Sequence, residues 1–171
     1  MADEKNDYGK ELLVSLRKIM QAVDLHSKDL KKKFGLTGPQ LVVLQEVAAY
    51  KEISVSELAK SVSLSQATVT DIVNRLASKD FLTKARSEKD KRRVMITPLE
   101  KCHKILEQAP PPLQETFTSR FSNLEQWEKL MLLSALNRIV SLMAAEKIEA
   151  APILATGPID LSPAASITKF D

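Results

Sequence analysis

The chain has 171 residues, of which 27% are charged, with a mean hydropathy of −0.14. This length fits one compact domain with an appended lobe, and the composition argues against long disorder and against a membrane-embedded chain. No run of about 18 apolar residues occurs, so no bilayer span is expected. Cys102 is the only cysteine, which excludes an intramolecular disulfide, and the N-terminus lacks the features of a secretory signal. We therefore expect a cytoplasmic protein.

Basic residues are concentrated in one short segment, although the whole chain carries only +3. Between residues 84 and 93 six basic side chains stand against Glu88 and Asp90, a local excess of +4. Such a patch often contacts a polyanion, and it also occurs in solvated loops. Charge alone leaves both interpretations open.

Apolar periodicity predicts two helices in the first fifty residues. A first helix over residues 10–33 carries an apolar residue every three, four or seven positions, and Gly35 ends it. Thr37 is predicted to cap a second helix, with Pro39 in the first turn and an end near Tyr50. The predicted buried stripe of this second helix is Leu41, Leu44, Val47 and Ala48.

Two short helices follow, the first beginning after Ser54 or Ser56 and the second after Ser65. The first is predicted to bury Leu58, Ala59 and Val62. The second is predicted to bury Val69, Ile72, Val73 and Leu76. Its opposite face carries small polar residues and very little Glu or Lys, which suits an approach to base edges in a DNA groove.

A period of two replaces the helical period after Asp80. Residues 81–86 and 93–96 therefore predict a β-hairpin with a charged turn. The hairpin leads into residues 97–100, where Thr97 and Glu100 are predicted to form a capping box that starts another helix.

The C-terminal third is predicted to be helical up to a final tail. Pro110, Pro111 and Pro112 must break or bend the helix after the hairpin, because three consecutive N–H donors are absent. A last helix is predicted over residues 124–146, with Asn123 as its cap. Residues 149–171 predict a tail that is either extended in solvent or docked.

This order of elements predicts a mostly α fold with a small β-hairpin wing, a winged helix-turn-helix. In such folds the second helix of the helix-turn-helix enters the major groove. A basic hairpin tip can follow the backbone and insert a guanidinium into a narrow minor groove, and Arg92 is the predicted side chain. A solvated helix face is the plain alternative, and the adjacent basic hairpin argues against it.

The segment 54–93 resembles the DNA-binding core of the MarR family. The matching residues are Glu57, Leu58, Ala59, Leu64, Ser65, Thr68, Val69, Thr70, Arg75, Leu76, Phe81, Leu82, Arg86, Asp90, Lys91 and Arg92. The resemblance implies that Asp90 orients Arg92 in the minor groove and that residues 65–75 read the major groove. The predicted DNA-binding residues are Ser54, Ser65, Gln66, Ala67, Thr68, Thr70, Asn74, Arg75, Arg86, Lys89, Asp90, Lys91, Arg92 and Arg93.

The sequence departs from the family pattern at two places. Asp71 follows Thr70 where family members often have arginine, and this change bears on base preference or phosphate contacts. Residues 98–102 replace the usual Leu-Thr-x-x-Gly after the wing. Residues 25–27 and 36–40 resemble the subgroup that controls compatible-solute genes, which implies a role in osmotic stress.

The predicted organisation is an N-terminal dimerisation helix (1–34), a winged helix-turn-helix (36–100), C-terminal dimerisation helices (101–148) and the tail (149–171). The first and last helices carry more apolar surface than a winged helix can cover, which predicts a homodimer on a pseudo-palindromic operator. The predicted dimerisation residues are Leu12, Leu16, Ile19, Leu132, Leu136, Ile139 and Met143. Family resemblance further implies an effector cleft between the two lobes and repression as the common mode.

Other functions find little support in the sequence. Four glycines without a phosphate-binding loop, and no clustered His or Cys, argue against an enzyme, a metal site or a cofactor. Cys102 beside His103 is expected to be a buried, inert thiol, and His26 a structural residue. The competing class is a winged-helix adaptor that binds protein instead of DNA, with Asp71 as its best support.

Overall fold

A computed structural model describes residues 7–88 and 90–156 as a mostly helical chain with a small antiparallel sheet, which confirms the predicted fold class. The elements in chain order are α1 (Tyr8–Phe34), α2 (Gly38–Ala49), β1 (Ile53–Ser54), α3 (Val55–Ser61), α4 (Gln66–Ala77), β2 (Leu82–Arg86), β3 (Val94–Pro98), α5 (Glu100–Gln108), α6 (Leu113–Ser122) and α7 (Gln126–Leu142). In the described residues no helix is both long and apolar enough to cross a membrane.

Local capping signals set the limits of α1 and α2. The side chain of Asp7 accepts a hydrogen bond from the Lys10 N–H (3.1 Å) at the start of α1. Gly35 ends α1 in a left-handed conformation (φ 65°), which glycine adopts without a Cβ penalty. Thr37 caps α2, and its N–H donates to Gln40 Oε1 (3.0 Å). Both predicted helix boundaries at this corner are confirmed.

The hydrophobic core lies among α2, α3, α4 and the sheet. The predicted inward residues of α3 and α4 are all buried, and so are Leu41, Leu44 and Val47 of α2, while Ala48 is partly buried. Burial of one such leucine or valine stabilises the fold by about 1.5–3 kcal/mol. This core fixes which faces of α3 and α4 remain in solvent.

The three strands pair in the order β1–β3–β2. The hairpin of β2 and β3 was predicted, whereas the short β1, which pairs Ile53 with Ile96, was not. The predicted capping box at residues 97–100 is wrong. Thr97 lies opposite Thr83 in the sheet, so strand pairing extends to Pro98 and α5 begins at Glu100 with Leu99 as its cap.

The proline break is confirmed, because α5 ends at Gln108 and α6 begins at Leu113. The predicted bounds of the last helix are too wide. Asn123 ends α6, and α7 is capped by Glu125, whose N–H donates to Glu128 Oε2 (2.8 Å). At the other end the left-handed Ala144 (φ 53°) stops α7 before Glu146.

Cys102 is fully buried on α5, as expected for an inert thiol. Burial raises the pKa of its thiol to about 11, because the interior disfavours the thiolate. Its Sγ lies 3.7 Å from the carbonyl oxygen of Leu44, a contact that packs α5 against α2. This environment is the opposite of that of a redox-sensing cysteine.

The C-terminal segment is docked over its described part. Along residues 151–156 burial alternates, with Ile153 only 8% exposed and both Pro152 and Leu154 facing solvent. The sequence left the tail either extended in solvent or docked, and residues 151–156 are docked. The remainder of the predicted tail, 157–171, lies outside the described residues.

Candidate nucleic-acid interface

The exposed face of α4 is set by a serine cap and a buried stripe. Ser65 Oγ accepts from the Thr68 N–H (3.0 Å) and lies 2.7 Å from Thr68 Oγ1. On the inner side Val69 and Val73 pack into the core. Since the core fixes the rotation of the helix, its outer face has a single orientation.

That outer face is polar and accessible. Gln66, Ala67, Thr70, Asn74 and Arg75 are all exposed. Thr70 Oγ1 donates to the carbonyl oxygen of Gln66 (2.7 Å), which leaves the lone pairs of the hydroxyl as acceptors. Hydroxyl, amide and guanidinium groups on one helix face match the donors and acceptors that base pairs present in the major groove.

Thr68 differs from its neighbours on this face. It is half-buried, and its backbone and hydroxyl both engage Ser65. Thr68 therefore mainly stabilises the first turn of α4, and Gln66 is the more accessible side chain for reading bases.

The wing tip is a compact turn organised around Asp90. Its Oδ1 accepts from the Arg92 N–H (3.0 Å), and its carbonyl oxygen accepts from the Arg93 N–H (2.9 Å). The Asp90 N–H in turn donates to Ser87 Oγ (3.3 Å). The role implied for Asp90 thus has a structural basis through the backbone of Arg92. The side chains of Lys91 and Arg92 remain exposed, and Lys89 lies outside the described residues.

The wing and α4 border one groove of about 300 Å³. Gln66, Thr70 and Asn74 line one side, and Lys84, Arg92 and Arg93 line the other. Lys84 Nζ donates to Asn74 Oδ1, which ties the root of the wing to the outer face of α4. The helix face and the basic wing therefore form one continuous surface.

Lys84 was not among the predicted site residues. Lys84 lies two residues before Arg86 on β2, and both side chains are exposed. The period-two pattern of the strand indicates that Lys84 shares a face with Arg86, because residues i and i+2 of a strand point to the same side. The pairing with Asn74 depends on the packing of the hairpin against α4, which the sequence does not reveal.

Ser54 is more deeply buried than the other described residues of the predicted site. It is only 1% exposed, and its hydroxyl caps α3 by accepting from the Glu57 N–H (3.3 Å) and donating to Glu57 Oε2. The Ser54 N–H also donates to Glu57 Oε2 (3.1 Å), which completes a capping box. Its hydroxyl is thus engaged in the cap of α3, and Ser54 also borders the groove between α4 and the wing.

Arg93 and Glu57 connect the wing to α3. The guanidinium of Arg93 lies 3.7 Å from Glu57 Oε1, and both side chains are about half exposed. Hydrogen bonds from Ser54, with a smaller contribution from the positive charge of Arg93, lower the pKa of Glu57. Arg93 is therefore placed to hold the wing, and its predicted contact with DNA has to compete with this ion pair.

The predicted dimerisation residues lie on an apolar surface outside the core. Ile19 is 55% exposed, Leu136 46% and Met143 64%. Leu12 and Leu132 are exposed as well, while Leu16 and Ile139 are partly exposed. Met143 lies just beyond the end of α7. This amount of exposed apolar side chain is typical of an interaction surface.

His26 lies half-buried on α1, at the edge of a second groove. Phe34, Gln108 and Pro110 also line this groove, whose volume is about 620 Å³. It lies between α1 and the end of α5. In the described residues no group of three or more His, Cys, Asp or Glu side chains is arranged to hold a metal ion.

Fold and surface together define a winged helix-turn-helix with a basic wing. Comparison with known proteins agrees, because residues 36–94 match the sequence model of the MarR family. The HTH-type transcriptional regulator MgrA of Staphylococcus aureus is 29% identical over 106 residues, which are 61% of this chain and 71% of that protein. Residues 36–94 are thus similar to the MarR family, and MgrA is itself a transcriptional regulator.

Solved structures show the same fold. The transcriptional regulator BldR of Sulfolobus solfataricus is 25% identical with a TM-score of 0.52, over 81% of this chain and 99% of that one. A mutant MarR of E. coli complexed with operator DNA is 21% identical with a TM-score of 0.52, over 81% of this chain and 99% of that one. At this identity the second likeness concerns the fold alone.

Proposed function

We propose that this chain is a sequence-specific DNA-binding transcription regulator that binds a pseudo-palindromic operator as a homodimer. The observation that carries the proposal is the continuous surface on which the outer face of α4 meets the basic wing across one groove. A polar, acidic-poor helix face reads bases, and an adjacent cationic turn binds the backbone. The winged helix of residues 36–100 is the proposed DNA-binding domain.

In the proposed complex α4 lies in the major groove. Gln66 and Thr70 approach base edges, and Asn74 and Arg75 extend the contact along the helix. Ser65 caps α4, and the amide groups of this helix end suit a phosphate. Ser54 is left out of the proposed contacts because it is buried.

The wing follows the DNA backbone into the adjacent minor groove. The turn that Asp90 organises leaves Arg92 exposed at the tip. A narrow A·T-rich minor groove has the most negative potential, and a guanidinium is the side-chain group that suits it best. Arg86, Lys89 and Lys91 are the proposed phosphate contacts.

A homodimer would cover the apolar surface of α1 and α7, with residues 1–34 and 101–148 as the dimerisation lobe. Two-fold symmetry buries the same patch on both protomers and places two copies of α4 about 34 Å apart. The corresponding proposal for the operator is two half-sites one helical turn apart. The groove beside His26 is the proposed cleft for a small-molecule effector.

Repression is the proposed mode of action, since a dimer bound over a promoter blocks polymerase. Control of compatible-solute genes is the proposed pathway. It rests only on the resemblance of residues 25–27 and 36–40, which lie at the corner between α1 and α2.

A protein-binding adaptor is the second candidate, and one observation favours it. Asp71 is exposed on α4. A carboxylate there repels phosphate and suits a basic protein partner. The basic groove beside it favours DNA.

Footprinting on the intergenic DNA that flanks the gene tests the proposal. We expect two protected half-sites centred about 10 bp apart, each with an A·T-rich flank. A matched fragment with scrambled half-sites of the same composition is the control. Protection of neither fragment at low ionic strength would contradict the proposed function, and equal protection of both would contradict sequence-specific binding.

A further inference from the structure

Residues 151–156, here called the strap, run along the corner between α1 and α2, with a tight turn at Pro152 in which the Ile153 N–H donates to the Ala151 carbonyl oxygen (2.7 Å). Burial alternates along the strap, with Ala151, Ile153 and Ala155 turned inward and Pro152 and Leu154 outward. Ile153 belongs to the same buried cluster as Leu30 of α1 and the residues of α2. The strap thus extends the core of the winged helix although it lies outside the segment 36–94 that matches the family.

Two contacts fix the end of the strap on either side of the corner. The Thr156 N–H donates to Ser27 Oγ of α1 (3.4 Å). Ala155 lies so close to the first residue of α2 that a Cβ on Gly38 would stand 3.0 Å from the Cβ of Ala155. A Cβ at position 38 would therefore require Ala155 to give way by a few tenths of an ångström.

The strap also borders the apolar surface of α1. Leu154, Leu16, Met20 and Met143 border a groove of about 770 Å³. Leu16 and Met143 are among the predicted dimerisation residues. The strap therefore touches the core of the winged helix on one side and the proposed dimer surface on the other.

The corner that the strap spans connects the two lobes. Gly35 turns the chain between α1 and α2, and α2 packs against α4. Any change in the angle between α1 and α2 thus moves α4 relative to the dimerisation helices. A contact that bridges this corner restricts that movement.

We propose that the strap is a conformational lock that holds α1 against the start of α2 and so fixes the position of the recognition helix α4. Its consequence for DNA rests on the proposed function. Ile153 is the one large side chain that the strap buries, so the strap opens at far lower cost than the whole domain. Opening frees the corner and allows the two copies of α4 in a dimer to change their separation.

Amide hydrogen exchange on the free protein tests the lock without DNA. Ile153→Ser removes the buried anchor, and Ile148→Ser makes the same change at an isoleucine that is 73% exposed outside the strap. We expect Ile153→Ser to raise exchange about tenfold in residues 25–41, and Ile148→Ser to leave it near that of the unmodified protein. Equal protection of residues 25–41 in both variants would overturn the lock.

Gly38→Ala tests the same contact from the other side. Alanine at this position precedes Pro39, and a Cβ before proline is disfavoured in a helix, so exchange at the start of α2 does not by itself test the lock. The added Cβ requires Ala155 to shift by a few tenths of an ångström, so the lock predicts faster exchange around Ser27 of α1. Gly9→Ala is the control, because the nearest atom to its Cβ would be Asp7 Oδ1 at 3.7 Å. Unchanged or slower exchange around Ser27 would count against the lock.

Operator spacing separates the lock from the proposed function. We expect a 2-bp insertion between half-sites to weaken binding by the unmodified protein about tenfold more than binding by Ile153→Ser, because the released corner adapts. The same spacing dependence in both proteins would overturn the lock while leaving the DNA-binding function intact. Altered exchange in a chain that binds no operator would keep the lock and overturn the function.

Discussion

The carboxylate of Asp90 accepts a hydrogen bond from the backbone N–H of Arg92, with 3.0 Å between Oδ1 and N. This contact shapes the turn at the tip of the wing and does not occupy the guanidinium of Arg92. The side chain is therefore presented by the backbone and is left free for DNA. In the described residues no ion pair involves Arg92.

Arg92→Ala should weaken binding to an operator with an A·T-rich flank by about 1–3 kcal/mol, because it removes the guanidinium from the minor groove. Fluorescence anisotropy on operators with A·T-rich and G·C-rich flanks measures the effect, which should be smaller on the second. Arg138→Ala, on the exposed surface of α7, is the matched control. Equal losses on both operators would show that Arg92 does not read the minor groove.

Gln66→Ala should relax sequence preference by about 1–3 kcal/mol at one base pair and leave non-specific affinity nearly unchanged. The reason is that Gln66 is exposed at the start of α4, beside the groove that the wing borders. Competition with single-base operator variants measures the preference. Gln126→Ala changes the equivalent first residue of α7 and should have no effect. An unchanged discrimination profile for Gln66→Ala would remove α4 from the proposed reading role.

Leu136→Asp should produce a monomer that stays folded, because Leu136 is 46% exposed in a single protomer. A charge on the proposed two-fold interface remains unpaired and is costly there. Sedimentation velocity measures the mass, and circular dichroism checks the fold. Leu99→Asp introduces the same charge at an exposed leucine (37%) outside the proposed interface. A Leu136→Asp protein that remains dimeric would place the interface elsewhere.

Ser54→Ala should lower the free energy of unfolding by about 1 kcal/mol at neutral pH, the usual effect of removing an N-cap hydroxyl. Hydrogen bonds from Ser54 lower the pKa of Glu57 in the folded state. The resulting stabilisation is fully present above the unfolded pKa of about 4.3 and is lost as the pH falls through the lowered folded value.

The difference between Ser54→Ala and the unmodified protein should therefore shrink in acid. Urea unfolding at pH 7 and pH 3 measures it. Ser65→Ala removes the cap of α4, where the described partner is the amide and hydroxyl of Thr68 and not a carboxylate, so its effect should not shrink in the same way. Parallel pH dependence of the two variants would contradict the role assigned to Glu57.

The spacing of apolar residues and the signals at helix ends predicted the helices of the helix-turn-helix correctly, because both depend on residues close in sequence. The spacing of Val69, Val73 and Leu76 encodes which face of α4 is buried, and Gly35 ends α1 through its own backbone freedom. These features depend on neighbours within a few residues. The outer face of α4 and the basic wing followed directly from them.

The errors arose where distant partners decide the structure. Thr97 has the signature of a helix cap, but its pairing with Thr83 keeps it in the sheet. Ser54 lies at the edge of the predicted site, and its burial depends on β1 pairing with β3. The sequence left the segment around Ile153 either extended or docked, because the corner that buries it is built from α1 and α2, more than a hundred residues earlier.

The dependence of duplex affinity on salt concentration tests the central claim most directly. Because each neutralised phosphate releases counterions, a dimer that contacts about six phosphates should show log K falling linearly with log salt at a slope of about −5. A scrambled duplex should show a similar slope at lower affinity. A chain that binds no duplex at low ionic strength, or whose affinity is indifferent to salt, would contradict the account.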